Sequence, residues 1–564
     1  MSKKVFLILA VLAAALVSWP NLNFQALIAQ GDLGRDFYTF EQVLHGKIIY
    51  KDIWWVYGPL MPYYYGLFYL LFGFKITSIF LGKFLISVLC GAIFYLASCE
   101  LMPVAWAFLA SCFFMRMQQD FFFTYNHIGG IALILVVFWL LLKYIHENNL
   151  KLALWALAAC FLIGLIKIDF GLSALITTLV SITVINFFAP DKNKKLLASD
   201  TKIFYLWGLL IIPLLWSAIY FLLLKDLSIN EIRQCMPYFG NDQPYHSTPD
   251  RSIPYFFIQH WLTFLNHWLS LLKYVSAAID HPSDLLSPTP ILMFSLVILN
   301  FLTNPIMHGS TIAAFILSFT KKFDGRRREF WLAQFVLWLF FIINFAEFVT
   351  SAIWYRTYWS QPFQTFFNFY MIAIAMSFAS KWVRYTIGGI WIAFFSLLIL
   401  IGFFSTQSSC TPDKFLNMPR GQVYVGNEAA WVDTVNTVTA YLNKTLKKDE
   451  LFFALPYDCI YYYLTGRPSP SRQLIFFDHI KILSRQEFSI IQELERNNVN
   501  YVLLSNRMSC SQQGLGVFGV TYCPLIYQYI KQNFTPLYHY GGRWDALPGW
   551  ADNHGVIILK RNGS

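Results

Sequence analysis

Long apolar runs recur through the first 404 residues of the chain. A transmembrane α-helix needs about 20 mostly apolar residues, and a soluble fold of 564 residues has no interior large enough for so many of them. Only 13% of the residues are charged and 57% are hydrophobic, whereas soluble domains have about 25% and about 45–50%. The sequence therefore predicts a polytopic α-helical membrane protein with about eleven transmembrane helices. The expected spans cover residues 5–19, 76–98, 104–114, 128–144, 152–166, 171–188, 204–224, 291–319, 330–349, 363–380 and 385–404.

The positive charges of the loops predict how these spans are oriented. Lys and Arg accumulate in the cytoplasmic loops of membrane proteins. When the N-terminal Lys3 and Lys4 are placed inside, alternation also places the basic loops "KYIHENNLK", "DKNKKLLASDTK", "KKFDGRRREF" and "SKWVR" inside. The formal net charge of +11 is therefore attributed to topology and not to nucleic-acid binding. The outer face receives the first external loop, residues 20–75, and everything after residue 404.

The composition changes after residue 404, where charged and polar residues return. The strand-like runs "DELFFALP", "VNYVLLS" and "GVIILK" alternate with the helix-like runs "SRQEFSIIQELERNN" and "PLIYQYIKQNF". Such alternation predicts an α/β fold, and about 160 residues are enough for a separate core. We therefore expect two domains, a transmembrane module over residues 1–404 and a soluble extracytoplasmic α/β domain over residues 405–564.

Carboxylates are concentrated in the first external loop, within "GDLGRDFYTFEQVLHGKIIYKDIWWVYGPL". From Asp36 onward, Phe37, Phe40 and Leu44 recur at helical spacing, which predicts a short helix on the membrane surface with Asp36 near its N-terminus. The Asp36 carboxylate would then either cap the helix and complement its dipole, or act as a general base toward an acceptor hydroxyl. The residues alone leave both roles open.

The order of motifs around Asp36 resembles that of the GT-C glycosyltransferase superfamily, in the branch of protein O-mannosyltransferases and lipid A aminoarabinose transferases. The shared features are an acidic residue soon after the first span, a "G-x-x-x-Y-x-D" pattern and a "P-L" before the second span. Here these features are Asp36, then Gly46, Tyr50 and Asp52, then Gly58, Pro59 and Leu60. Phe37 stands where many relatives have Glu, which leaves Glu41, Asp52 and Asp32 as supporting acidic residues.

The resemblance implies a GT-C-like transmembrane module and a specific reaction. A sugar would move with inversion from a polyprenyl-phosphate donor to an acceptor hydroxyl, and Asp36 would be the base that deprotonates the acceptor. No cofactor and no metal are implied, and the sequence contains no CxxC or HExxH metal motif. The expected partners are the lipid-linked sugar donor, a lipid, glycan or protein acceptor, and membrane lipids, without nucleic acid. The expected location is a bacterial inner membrane.

A lipid phosphate leaving group needs cations at the outer face, because negative charge develops there in the transition state. The alternative for each basic residue is snorkelling to headgroups or pairing with a nearby carboxylate, as between Lys167 and Asp169. The candidate donor-phosphate ligands are Lys167 in "GLIKIDFGLS", Arg356 in "WYRTYW", and Arg233 and Arg251 in the loop 225–288. The candidate contacts to the sugar or acceptor are Asp120, Asn126 and His127 in the second external loop.

Two other functions are compatible with a polytopic chain of this kind. An O-antigen ligase or polymerase-type enzyme would also act on the outer face, and a transporter or lipid flippase belongs to a different class. Transporters place ionisable or helix-breaking residues near the bilayer midplane, in repeated halves. Here the external charges lie at the ends of the spans and no internal repeat is evident, which favours an enzyme. The sequence names neither the sugar nor the acceptor.

Overall fold

A computed structural model describes residues 2–25, 31–118, 125–188, 198–236, 303, 306–318, 325–351, 360–408, 410–426, 429–508, 516–542 and 553–563. Helices dominate the described residues up to Ser408. They are α1 (Lys3–Ser18), α2 (Gly31–Gln42), α3 (Leu60–Phe72), α4 (Ile76–Leu101), α5 (Val104–Gln118), α6 (Tyr125–Glu147), α7 (Leu150–Ile166), α8 (Ile168–Phe187), α9 (Ala198–Leu206), α10 (Ile212–Leu224), α11 (Ile229–Cys235), α12 (Ile306–Ser318), α13 (Gly325–Ser351), α14 (Gln361–Phe378) and α15 (Lys381–Ser408).

Several of these helices have the length and composition of membrane spans. Within the described residues, five are long and apolar enough to cross a membrane: Lys3–Leu22, Ile76–Leu101, Tyr125–Glu147, Ile168–Phe187 and Asp200–Leu224. Three shorter apolar helices cover Val104–Met117, Leu150–Ile166 and Ile306–Ser318. A helical chain with several apolar helices is thus present, while the count of eleven spans stays a prediction.

Small residues let neighbouring helices approach closely. A Cβ atom at Gly171 of α8 would lie 2.3 Å from the Cα atom of Gly164 in α7, and one at Gly91 of α4 would lie 2.7 Å from the Cβ atom of Ala14 in α1. Contacts between backbones at this range are typical of glycine in packed membrane helices. Because α7 and α8 pack this closely, a single extended residue, Lys167, connects them.

The C-terminal region combines strands and helices. Its strands form a four-stranded mixed sheet of order β4 (Phe452–Leu455), β5 (Tyr501–Ser505), β7 (Gly555–Arg561) and β6 (Phe534–Gly541). Strands β4 and β5 are parallel, and the other neighbours are antiparallel. Each sequence run noted above contains an element of the expected type. The elements are β2 (Phe415–Leu416), β3 (Val423–Val425), α16 (Ala429–Thr445), β4 (Phe452–Leu455), α17 (Ile460–Thr465), α18 (Ser484–Arg496), β5 (Tyr501–Ser505), α19 (Pro524–Asn533), β6 (Phe534–Gly541) and β7 (Gly555–Arg561).

This C-terminal region is joined to the first external loop by a small second sheet of order β1-β3-β2, where β1 is Phe24–Gln25. Strand β1 follows the first helix and pairs in parallel with β3, so that Phe24 lies opposite Tyr424. One continuous apolar core contains side chains of the helices as well as C-terminal residues such as Leu416 and Tyr463. A second, smaller core lies on the sheet around Phe453 and Val502.

Helix α2 differs from the surface helix that the sequence predicts. It begins at Gly31, so Asp36 lies in its second turn and not at its N-terminus. All its residues except Asp32 are buried. A Cβ atom at Gly31 would lie 2.2 Å from the carbonyl oxygen of Tyr457, and one at Gly34 would lie 2.6 Å from the backbone nitrogen of Ile460. Helix α2 therefore packs against C-terminal helix α17, with Phe37 on Tyr463, and Phe40 stacks on Tyr65 instead of lying exposed on a membrane surface.

We expect the substitution Gly34→Ala to lower stability, because the added methyl group overlaps the backbone of α17 and overpacking costs about 1–3 kcal/mol. The matched control is Gly388→Ala, since a Cβ atom there meets nothing within 4 Å and Ala favours the helix. Thermal unfolding of the purified protein in detergent measures both. Equal melting temperatures for the two variants would contradict the observed packing of α2 on α17.

Candidate active site

Asp36 is buried and its two carboxylate oxygens have different partners. Oδ1 accepts hydrogen bonds from Arg35 Nη2 at 2.8 Å and Arg35 Nε at 3.1 Å. Oδ2 accepts one from Asn126 Nδ2 at 3.1 Å, which brings the first turn of α6 to the middle of α2. The other amide atom, Asn126 Oδ1, has no hydrogen-bond partner among the described residues. Asp36 is thus fixed in orientation, with an open acceptor beside it.

Arg35 is held between two carboxylates and a group of aromatic rings. Its Nη1 atom lies 2.9 Å from Asp32 Oδ1, in the i,i+3 relation that helical geometry favours. Its guanidinium carbon lies 5.2 to 5.9 Å from the ring centroids of Trp55, Tyr57 and Trp54. The side chain is 3% exposed, so one positive charge is enclosed by rings that attract cations and exclude water.

The Asp36 carboxyl has an unusual acidity. Burial raises its pKa from 3.8 to about 7, although the charge and N–H donors of Arg35 act to lower it. Burial has the larger effect because the free energy needed to remove a carboxylate from water exceeds the stabilisation from one shared guanidinium. A carboxylate with a pKa near neutrality is matched to proton transfer at physiological pH.

A small, partly open cavity lies next to this cluster, and Lys167 contributes its cation. The Lys167 ammonium is 3.1 Å from Asp169 Oδ2 and 4.6 Å from the ring centroid of Phe170, with 6% of the side chain exposed. The predicted pairing of Lys167 with Asp169 is therefore present. The cavity is lined by Tyr50, Val56, Tyr57, Gly58, Lys167, Ile168, Asp169, Tyr220 and Met236.

Tyr57 connects the cavity to the buried carboxylate. Its ring lines the cavity and lies 5.4 Å from the guanidinium carbon of Arg35, which in turn holds Asp36. The adjacent Gly58 fixes this segment against the α7–α8 turn, because its N–H donates to Ile166 O at 2.7 Å and a Cβ atom would lie 2.1 Å from Leu165 O. The "YGPL" segment and Lys167 are thus positioned as one wall.

The structure places the three predicted supporting acids in different environments. Asp32 shares Arg35 with Asp36 and therefore belongs to the cluster. Glu41 is buried and lies 2.6 Å from Nη1 of Arg420, a residue of the C-terminal region. Asp52 accepts the N–H of Ile48 at 2.8 Å and closes a local turn. Glu41 and Asp52 make no contact with Asp36 within the described residues.

The other predicted site residues are only partly placed. His127 packs edge to face on Tyr57, with ring centroids 5.2 Å apart. Arg233 is exposed on α11, three residues before the cavity residue Met236. Asp120, Arg251 and Arg356 lie outside the described residues.

Sequence reasoning missed Arg35, which holds Asp36, and two arginines of the C-terminal region. Arg35 carried a signal, since it follows Asp32 at the i,i+3 spacing of helical neighbours. Arg420 and Arg472, which contact the first external loop from the C-terminal region, carried none. Among the described residues, no group of three or more His, Cys, Asp or Glu side chains is arranged to hold a metal ion.

The chain is similar to solved structures at low sequence identity. No protein-family model and no curated protein matches the chain. The solved structure of ArnT from Cupriavidus metallidurans bound to undecaprenyl phosphate is similar over 98% of this chain and 97% of that chain, with 11% identity and a TM-score of 0.44. The archaeal oligosaccharyltransferase AglB from Archaeoglobus fulgidus, in complex with an inhibitory peptide and a dolichol-phosphate, is similar over 98% and 76%, with 12% identity and a TM-score of 0.43.

We expect Arg35→Ala to destabilise the protein more at pH 8 than at pH 6. The folded state binds the Asp36 proton more tightly than an ordinary carboxyl does, so stability falls as pH rises toward about 7. Without Arg35 the pKa of Asp36 rises further, and the fall extends to higher pH. At pH 8 an unpaired buried carboxylate costs about 3 kcal/mol.

Thermal unfolding at the two pH values checks this expectation. The control is the double variant Arg35→Ala/Asp36→Asn, whose site has no carboxyl to ionise at position 36. A pH difference of the same size in the single and double variants would show that Arg35 does not act through Asp36.

Proposed function

We propose that this protein is an inverting glycosyltransferase that moves a sugar from a polyprenyl-phosphate donor to an acceptor hydroxyl at the outer face of the membrane. The observation that carries the proposal is the position of Tyr57. It lies between a buried carboxylate held by Arg35 and a cavity that contains Lys167. The reaction requires a base for the acceptor hydroxyl and a cation for the donor phosphate.

Asp36 is proposed as the base. Its Oδ2 atom removes the proton from the acceptor hydroxyl, the acceptor oxygen forms a bond to the anomeric carbon, and the bond from that carbon to the phosphate oxygen breaks. The electron pair leaves with the polyprenyl phosphate, which is a good leaving group and needs little acid assistance. Asn126 holds Oδ2 in place through Nδ2, and its unpartnered Oδ1 offers a second acceptor for the substrate hydroxyl.

Lys167 is proposed to bind the donor phosphate. Its ammonium is mostly screened from water and lies in a cavity that its partner Asp169 also lines, together with tyrosine, glycine and apolar side chains. A phosphate oxygen can replace or share the partner Asp169, and its charge is stabilised more strongly there than in water. Undecaprenyl phosphate and dolichol-phosphate, the lipids in the ArnT and AglB structures, belong to this donor class. Arg356, Arg251 and Arg233 stay candidates for the same phosphate.

The proposed setting follows from the charge pattern of the loops. The first external loop and the C-terminal α/β region lie on one side of the predicted spans, opposite the basic loops. Both face the periplasm if the membrane is the proposed bacterial inner membrane. The acceptor is a hydroxyl of a lipid, glycan or protein that approaches from this side.

Asp36→Asn is expected to reduce sugar transfer by at least about a hundredfold, because general base catalysis contributes about 10²–10⁴-fold. The purified protein is incubated with defined polyprenyl-phosphate sugars, and release of polyprenyl phosphate is measured. The amide is close in shape to the carboxylate, so membrane insertion and thermal stability serve as controls for folding. Full activity of Asp36→Asn would exclude Asp36 as the base, and transport of a solute by the wild type without lipid release would favour a transporter.

Lys167→Ala is expected to raise the KM for the lipid donor about tenfold, since hydrogen bonds to a charged group contribute about 1.5–3 kcal/mol. The matched control is Lys143→Ala. Lys143 is partly exposed, pairs with Glu147 at 3.6 Å and does not line the cavity. Initial rates at varied donor concentration separate KM from kcat. An equal KM in the two variants would remove Lys167 from the donor site.

A further inference from the structure

Arg472 of the C-terminal region contacts the first external loop through both its side chain and its backbone. Its Nε atom donates to the carbonyl oxygen of Tyr50 at 2.5 Å, and its own carbonyl accepts the N–H of Trp54 at 3.0 Å. These two contacts bracket residues 50–54, the segment that leads into the cavity wall at Val56 and Tyr57. Arg472 therefore fixes both ends of this segment.

The same guanidinium also holds α11. Its Nη1 atom lies 3.3 Å from Glu231 Oε1, and its Nη2 atom donates to Cys235 Sγ at 3.3 Å. Met236, the residue that follows α11, lines the same cavity as Tyr50. One side chain thus ties together two separate segments that each contribute a cavity residue.

The backbone of Tyr50 shows why such a tie is needed. Its φ angle is +66°, in the left-handed region that a bulky side chain seldom adopts. A residue stays in this conformation only when its surroundings fix it. The Tyr50 hydroxyl donates to Tyr57 O and its carbonyl accepts from Arg472, so both ends of the residue are held. Tyr50 is 1% exposed.

An arginine suits this place because of its shape. The guanidinium is a rigid planar fork whose five donors point in fixed directions. Here the fork serves three different acceptors on two segments at once. A lysine ammonium is a point charge on a flexible stem and cannot keep this geometry.

We propose that Arg472 is a positioning residue for the donor-phosphate cavity, so that the C-terminal region takes part in donor binding. The inference rests on the proposed function, because the cavity matters to the lipid phosphate only if the chain uses such a donor. Arg472 acts through Tyr50 and Met236 and does not need to touch the lipid.

The test compares Arg472→Ala and Arg472→Lys with Arg467→Ala. Arg467 is a matched control because its hydrogen bonds go to Asn443, Leu446 and Lys447, all within the C-terminal region. Binding of polyprenyl phosphate alone is measured by native mass spectrometry, and hydrogen exchange by mass spectrometry follows the backbone amides of residues 48–58 and 229–236. The KM for the polyprenyl-phosphate sugar is measured separately from kcat.

Arg472→Ala is expected to weaken polyprenyl phosphate binding and raise the donor KM about tenfold, and to speed exchange in both segments. Arg472→Lys should recover part of the affinity, while Arg467→Ala lowers stability without changing either segment. Unchanged exchange in Arg472→Ala, or unchanged affinity in a protein whose wild type binds the lipid, would overturn the role of Arg472. Failure of the wild type to bind polyprenyl phosphate would instead overturn the proposed function. The exchange data would still show whether Arg472 holds residues 50–54 and α11 in place.

Discussion

The burial of charges on helix α2 is the constraint on which the rest of the structure depends. A charge that leaves water must meet a counter-charge or hydrogen-bond partners, because its desolvation otherwise costs several kcal/mol. Arg35, Asp36 and Glu41 are all buried, and Arg35 and Asp36 satisfy one another within the helix. Among the described residues, Glu41 is paired with Arg420 of the C-terminal region. The helix can therefore be enclosed only when α6 and the C-terminal region are both in place.

The enclosure separates two kinds of environment that the proposed reaction uses together. Asp36 lies in a dry setting of aromatic rings, where a neutral pH is enough to change its charge. Lys167 lines a cavity, where it is paired with Asp169. Tyr57 belongs to both, which gives a short physical route from the proposed base to the proposed phosphate site. Strong electrostatic interactions follow from the absence of bulk water at such places.

The sequence predicted those parts of the structure that depend on local pattern. The apolar runs indicated the helices, and the alternation after residue 404 indicated the strands and helices found there. Asn126, predicted as a contact to the sugar or acceptor, donates a hydrogen bond to Asp36. The burial of α2 was missed because Phe37 and Phe40 have the spacing of an interfacial helix, and the same spacing serves a helix covered by protein. Gly31 and Gly34 are the residues that distinguish the two cases, since Gly31 leaves room for Tyr457 and Gly34 leaves room for Ile460 of α17.

Partners that are distant in sequence leave no local pattern. Arg420 and Arg472 lie in stretches of ordinary loop composition, and nothing near them indicates that they reach Glu41 and Tyr50. Their identity depends on how the chain folds back on itself, which helical and strand periodicity do not encode. For the same reason the proposed roles of Asp36 and Lys167 rest on the resemblance and the geometry, and not on spacing alone.

The distance along the chain between α2 and its partners has a consequence for biosynthesis. The contacts from Glu41 to Arg420, Tyr38 to Ser469 and Tyr50 to Arg472 join residues that are 379, 431 and 422 positions apart. Contacts of such long range form late, and during synthesis the N-terminal part of a chain emerges first. Helix α2 can therefore be enclosed only after the chain has been synthesised as far as Arg472. A chain that stops early keeps its helices but leaves Asp36 without its dry enclosure, so the end of translation also decides when the site is complete.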